Sequence, residues 1–167
     1  AKASELIYHF AWDDLCDWYL ELTKSSFAAG GKAAATCQRV LGHVLDQLFR
    51  LLHPVMPFLT ESLWTSLTGG ESLVIASWPK VVERLIDNST DKIIAQMQEI
   101  ITEVRRFRND QGIKTSQKIP GRLLVPTELE DYVAGMSFIL KLEPGDFTPS
   151  AKLDIGKTKA EFDLTGS

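Results

Sequence analysis

Apolar positions recur at helical spacing over most of the first 110 residues and give way to alternation near the end. Over about residues 4–24, Leu6, Ile7, Phe10, Leu15, Trp18 and Leu22 fall on one helical stripe, with Ser4 as the N-cap. Asp13, Asp14, Asp17 and Glu21 make the other side an acidic, solvated face. Phe27-Ala28-Ala29-Gly30-Gly31 is a break. A second helix over about 32–52 carries Val40, Leu41, Val44, Leu45, Leu48 and Leu52. A short helix over 57–67 turns Phe58, Leu63, Trp64 and Leu67 inward and ends at Gly69-Gly70. Residues 73–76 read as a short extended run, after which Trp78 of Ser77-Trp78-Pro79 packs back on the bundle; 81–86 adds a helical turn. A third long helix starts at Ser89 or Thr90, with Asp91 in its first turn. It buries Ile93, Ile94, Met97, Ile100, Ile101, Val104 and Phe107 and stops at Gly112.

Between the second helix and the next lies Leu52-His53-Pro54-Val55-Met56-Pro57-Phe58. Pro54 cannot continue a helix and biases His53 away from helical geometry. Pro57 suits a first turn, where its missing N–H is no loss. Val55, Met56 and Phe58 are apolar where polar turn residues are the default, which predicts a buried corner. His53 is read as bonding the corner or stabilising the helix end, not as a catalyst.

Near Ile119-Pro120 the pattern changes. A strand is expected over 121–125. A Thr127/Glu130 capping box opens a short helix to about residue 134, and 138–142 alternates in part. Strands are expected over 151–155 and 160–164, joined as a hairpin at Gly156-Lys157. The expected fold is mainly α: a helical bundle over residues 1–118 followed by a small α+β subdomain over 119–167.

Composition narrows the function. The apolar content of 44% supports a core, and the net charge of −4 announces no global attraction to nucleic acid. Cys16 and Cys37 form no metal-ligand spacing; two cysteines without a secretion signal fit reduced thiols in the cytoplasm. Asp13 and Asp17 lack the further oxygen ligands of a cation site. No apolar run approaches the roughly 18 residues of a membrane span. The chain has no starting Met and opens almost directly into a helix pattern, as an excised piece would.

Charge is uneven along the chain. Residues 1–80 hold six Lys+Arg against eight Asp+Glu, residues 81–127 eight against six, and residues 128–167 four against eight. The basic concentration is Arg105, Arg106, Arg108, Lys114, Lys118 and Arg122. Three arginines within four residues fan out around a helix. Cations at a helix C-terminus are favoured by the dipole, and phosphate binding is an equally good reading of the same residues. Phe107 fits the buried stripe. No nucleophile–base pair, Gly-rich phosphate loop or metal cluster is present, so no catalytic residue is assigned. Lys114-Thr115-Ser116-Gln117-Lys118 is superficially similar to the Lys-Met-Ser-Lys-Ser loop of class I synthetases, but two positions differ and no nucleotide fold surrounds it.

Cys16-Asp17-Trp18-Tyr19, the His53–Phe58 corner with Trp64 beyond it, and the later Trp78-Pro79 pair together resemble the C-terminal anticodon-binding domain of valyl-tRNA synthetase. The resemblance runs across most of the chain. It implies a helical bundle of the class I synthetase type, here beginning inside the family's helical domain. It implies binding of the anticodon stem-loop of valine-accepting tRNA by a monomer. Arg105, Arg106, Arg108 and Asn109 would read the loop, Lys114 and Lys118 would take phosphates, and Lys24 and Arg39 are weaker candidates. Trp12, Trp18 and Tyr19 offer either a stacking surface or core packing, with core the preferred reading. Valine activation with ATP and magnesium, and editing, would lie in other domains of a parent enzyme, leaving this stretch without a cofactor of its own. The equivalent domain of an isoleucyl or leucyl enzyme, or a helical module that binds a protein partner or scaffolds its parent, are the alternatives.

Overall fold

Helical periodicity is realised almost throughout the first half of the chain. The computed structural model describes residues 2–165. Two compact units divide the molecule, Ala1–Leu85 and Ile86–Ser167. The division falls before the third long helix. That helix spends its apolar stripe on the following sheet, which is why it belongs with it.

In the first unit, α1 (Lys2–His9) and α2 (Leu20–Ala29) are joined without a break by a π-helical stretch, Phe10–Tyr19. Ser4 thus lies inside α1 rather than capping it. The π stretch bonds five residues back, as in Leu20 N–H to the Leu15 carbonyl. This wider turn rotates side chains off the 3.6-residue phase. Leu15 is buried, while Leu6 and Phe10 are exposed. Gly30, at φ +70°, ends α2, and its N–H bonds the Ser26 and Phe27 carbonyls. Then α3 (Gly31–Leu52) packs against α2 and against α4 (Pro57–Thr68).

The α3–α4 corner is held by polar bonds. The Val55 and Met56 N–H groups both reach the Leu52 carbonyl at 2.9 Å. Pro57 is the first residue of α4. The buried Thr60 hydroxyl donates to the Met56 carbonyl at 2.9 Å, leaving its oxygen to accept from His53 Nδ1 at 2.8 Å. The corner's apolar residues are not buried: Val55 and Met56 are exposed and Phe58 is 92% exposed. The inward phase of α4 is set by Thr60 and Trp64, four residues apart. Phe58 lies on the far side from Thr60, and Leu63 and Leu67 sit half-exposed on the flanks.

Trp64 is the deep anchor. Its indole N–H donates to Asp46 Oδ1 at 2.5 Å, and Arg50 Nε reaches the same oxygen at 2.9 Å. Gln47 donates to Asp46 Oδ2 at 2.8 Å, and the Arg50 guanidinium lies 5.4 Å from the Trp64 ring centre. Burial alone would push the Asp46 carboxyl up. The hydrogen bonds from Trp64 and Arg50 outweigh it and hold the group below the usual carboxylate range. The expected extended run is a 3-10 turn, Leu73–Ile75, because Ser72 caps it by accepting from the Val74 N–H. Trp78 is exposed beside a small cleft shared with Arg50 and His53, rather than packed back. A second short 3-10 turn, Glu83–Leu85, closes the unit.

The second unit begins with α5 (Asn88–Asp110). Its cap is Asp87, not Ser89 or Thr90: the carboxylate accepts from the Ser89 and Thr90 N–H groups at 2.9 and 3.3 Å. Both hydroxyls also bond it, at 2.5 and 2.8 Å. These bonds, Ser89 first, hold Asp87 at a pKa of about 2. A sheet of order β2-β1-β4-β3 follows, from β1 (Ile119–Leu124), β2 (Leu142–Glu143), β3 (Ala151–Ile155) and β4 (Thr158–Phe162). Parallel β1 and β2 are linked through a 3-10 stretch, Thr127–Tyr132, and α6 (Val133–Leu140). Pro126 occupies the cap position there, and Thr127 makes no side-chain cap bond, so the expected capping box does not form. Antiparallel β3 and β4 turn through Gly156-Lys157, with Gly156 at φ +56° in the first turn position. That turn sets Ile155 opposite Thr158, so β4 starts two residues before the expected strand. Alternation sends Gly121, Leu123, Ala160 and Phe162 to the buried face and Arg122 and Lys159 outward. The Phe107 ring of α5 stacks on Phe162 at 5.0 Å.

Two consequences can be measured. A Cβ at Gly70 would run into the Trp64 ring. Gly70→Ala should therefore destabilise the protein by about 1–3 kcal/mol, seen as a lower thermal midpoint. The Asp87 pKa is lowered from an unfolded value of about 3.9, so its contribution is full above that pH and fades as pH falls toward 2. Asp87→Asn should flatten the acid limb of the stability curve in that window, read by denaturation at pH 2 to 5.

Candidate nucleic-acid interface

The site is built on the last two turns of α5 and the loop that leads from it to β1. Helical spacing sorts its polar residues by side. Thr102, Arg105, Arg106 and Asn109 are exposed and adjacent on the helix surface. Glu99, Glu103 and Asp110 line the next sector, beside Arg106. Arg106 is 72% exposed, and its guanidinium is only loosely paired with Glu103, at 3.9 Å. One cationic and amide face is thus bordered by an acidic one.

Arg108 faces the other way. It is 3% exposed and continues the buried stripe of α5 set by Ile101 and Val104. Its Nη2 donates to the Lys114 carbonyl at 3.1 Å and to the Gln117 carbonyl at 2.6 Å, while Nη1 is buried with no hydrogen-bond partner. Burial pushes its pKa down from the ordinary arginine value. Its guanidinium is taken up by the protein's own backbone and does not stand with Arg105 and Arg106 as a surface group.

Beyond Gly112, at φ +71°, the loop is anchored by buried Ile113, whose N–H bonds the Arg108 carbonyl at 2.9 Å. A turn closes from Gln117 N–H to the Lys114 carbonyl at 3.0 Å. Lys114, Thr115, Ser116 and Lys118 are exposed on it. Lys118 pairs with Glu143 at 3.1 Å, both well exposed, so the pair is weak and exchangeable. Arg122 is committed elsewhere: Nε and Nη2 reach Glu161 Oε2 at 2.7 and 2.6 Å, and Lys152 takes Oε1 at 3.1 Å. The bonds from Arg122 and then Lys152 hold the Glu161 carboxyl below its usual range.

The structure therefore assembles Arg105, Arg106 and Asn109 on one helix face, and Lys114 and Lys118 on the loop after it. Lys24 and Arg39 belong to the first unit. Lys24 pairs with Glu21 at 2.5 Å inside α2, and Arg39 lies within α3, reaching the Thr36 hydroxyl at 3.4 Å. Thr102, Thr115 and Ser116 join the exposed set without having been singled out; for Thr102 the signal was its place three residues before Arg105. Among the described residues, no group of three or more His, Cys, Asp or Glu side chains could hold a metal ion. None of the described helices is long and apolar enough to cross a membrane.

Residues 1–123 match the family model described as the anticodon-binding domain of tRNA ligase. The chain belongs to that family. The match covers all of the first unit and, in the second, α5, the basic loop and most of β1. Among relatives, the chain is similar to a valine–tRNA ligase of Streptomyces avermitilis, 49% identical over 170 residues, with 100% of this chain and 19% of the relative covered. A Streptomyces coelicolor valine–tRNA ligase is 50% identical over 169 residues, covering 99% and 19%. One from Mycobacterium tuberculosis is 48% identical over 159 residues, covering 93% and 18%. The chain spans about a fifth of the length of the curated relatives it matches.

The contrasting roles of neighbouring arginines predict contrasting stabilities. Arg108→Ala leaves two carbonyls without their charged donor and should cost about 2–3 kcal/mol. Arg106→Ala should stay within about 0.5 kcal/mol of the parent. Denaturant unfolding of both variants checks the difference.

Proposed function

We propose that this chain is the anticodon-binding part of a valine–tRNA ligase and holds the anticodon stem-loop of valine tRNA. The observation that carries the reading is the exposed Arg105–Arg106–Asn109 face followed by Lys114 and Lys118, in a chain of the anticodon-binding family. Arginine and lysine supply phosphate contacts, and the asparagine amide suits a base edge. Valine as the amino acid is supported by the similarity to valine–tRNA ligases and by the Cys16–Tyr19 and His53–Phe58 motifs. Attachment of valine to the tRNA, with ATP and magnesium, is assigned to other domains of a longer cytoplasmic, monomeric protein, which this unit serves by orienting the tRNA. A second reading, a helical module that docks a protein partner, is favoured by the exposure of Phe58, Val55 and Met56 at the corner.

Salt separates the two readings, because phosphate contacts release counterions and apolar docking does not. A valine anticodon stem-loop should bind in preference to a scrambled-loop control. Its affinity should fall as salt rises, with a log–log slope of about 0.7 to 0.9 per phosphate contacted. Arg105→Ala/Arg106→Ala should remove most of the preference. Equal binding of both loops, or binding of neither by this chain and by the longer protein carrying it, overturns the reading.

A further inference from the structure

We propose that Arg108 is the positioning residue of the RNA interface: its guanidinium sets the Lys114–Gln117 turn and thereby the direction in which Lys114 and Lys118 meet phosphate. The inference rests on the RNA-binding reading above and deepens it. A single nitrogen, Nη2, holds both ends of the turn, through the carbonyls of Lys114 and Gln117. The same turn is closed on itself by Gln117 N–H, and the adjoining Ile113 N–H is tied to the carbonyl of Arg108 itself. The helix end, the buried arginine and the loop are therefore one hydrogen-bonded unit.

Buried Ile113 and Ile119 anchor the two ends of the turn, but its own side chains do little to shape it. Lys114, Thr115, Ser116 and Lys118 all point to solvent and contribute no core packing. Burying a guanidinium on the apolar side of α5 carries a desolvation cost, and Nη1 goes without a hydrogen-bond partner there. The two N–H groups of Nη2 lie in the rigid guanidinium plane and aim at two acceptors in one geometry, whereas an ammonium on a flexible stem does not. Lysine at this position would keep the charge and lose the alignment. Arg108 would thus act on RNA through Lys114 and Lys118 without touching it.

The test is a double-mutant cycle on the full chain with the valine anticodon stem-loop, titrated across a salt series. Lys114→Ala should weaken binding roughly threefold to tenfold and lower the salt slope by about 0.7 or more. Arg108→Lys should weaken binding at least as much although no charge is lost, and the double variant should bind no more weakly than Arg108→Lys alone. A single glycine inserted between Thr115 and Ser116 leaves Arg108 and the core in place. It should reproduce the loss, and it carries the test if Arg108→Lys does not fold. Wild-type affinity in Arg108→Lys or in the insertion variant overturns the proposal, as do losses that multiply in the double variant. If the parent chain binds and Lys114→Ala binds equally well, this inference falls while the RNA-binding function stands. If the parent chain and the longer protein bind no RNA, both fall together.

Discussion

The step of seven residues from Ile101 to Arg108 decides where the second unit keeps its charge. Two helical turns return a residue to the same side, so Arg108 comes up on the apolar stripe that Ile101 and Val104 bury. A cation placed there must find acceptors or lose its hydration for nothing. The chain supplies them by folding the carbonyls of Lys114 and Gln117 back over the helix end. The loop's path follows from that demand, and so does the position of β1, which begins as soon as the loop has closed. Arg105 and Arg106, off the stripe by their own phase, stay at the surface. Three arginines within four residues thus become one internal brace and two external groups, with no difference among them except helical angle.

The first unit is organised by a comparable rule with the sign reversed. There a half-buried anion, Asp46, collects donors from Trp64, Arg50 and Gln47. The indole brings α4 onto α3, and Arg50 goes on to bond the Ser77 carbonyl at 2.7 Å, tying the following segment to the same point. The His53–Thr60 bond adds a second polar fastening at the corner. Few large apolar side chains of this unit are deeply buried: Leu15, Leu48, Trp64 and Leu73. Directional bonds around Asp46 consequently carry more of the helix–helix geometry than packing does. They fix an angle that a small apolar contact alone would leave free.

Much of this was legible in the residues. The three long helical segments, the glycine breaks, the corner prolines and the late switch to strands all appear where local spacing puts them, because each rests on short-range periodicity. What local spacing could not settle was phase and partnership. Phe58, Leu63 and Leu67 read as inward because they are apolar, yet Thr60 and Trp64 set the buried side of α4, where they bond His53 and Asp46 of the preceding segment. Ser4 and Thr127 carry capping chemistry but stand one turn inside α1 and just after Pro126, where no cap is open. Arg108 was readable in principle: Val104 plus four and Ile101 plus seven both arrive at it. A charged side chain simply outweighed its position in a reading by residue type. The α5 stripe looks like another bundle helix until the sheet that covers it is seen.

The charge distribution bears on how such an interface can work at all. With a net charge of −4, the chain offers an approaching polyanion no long-range attraction, and at physiological salt fields fade over about 8 Å. Recognition must then rest on contacts made at close range. There the arrangement is directional: Arg105, Asn109 and Arg106 present one strip of α5, and Glu99, Glu103 and Asp110 bound it. A phosphate backbone that drifts across that boundary meets like charge. An acidic border costs affinity, but it costs misaligned complexes more, and specificity is the difference between the two. On the proposed reading, selecting one loop among many similar RNAs gains more from that difference than from a broadly basic surface, which would bind every tRNA alike. The overall acidity, which at first argues against nucleic acid, is in this light compatible with selective binding of it.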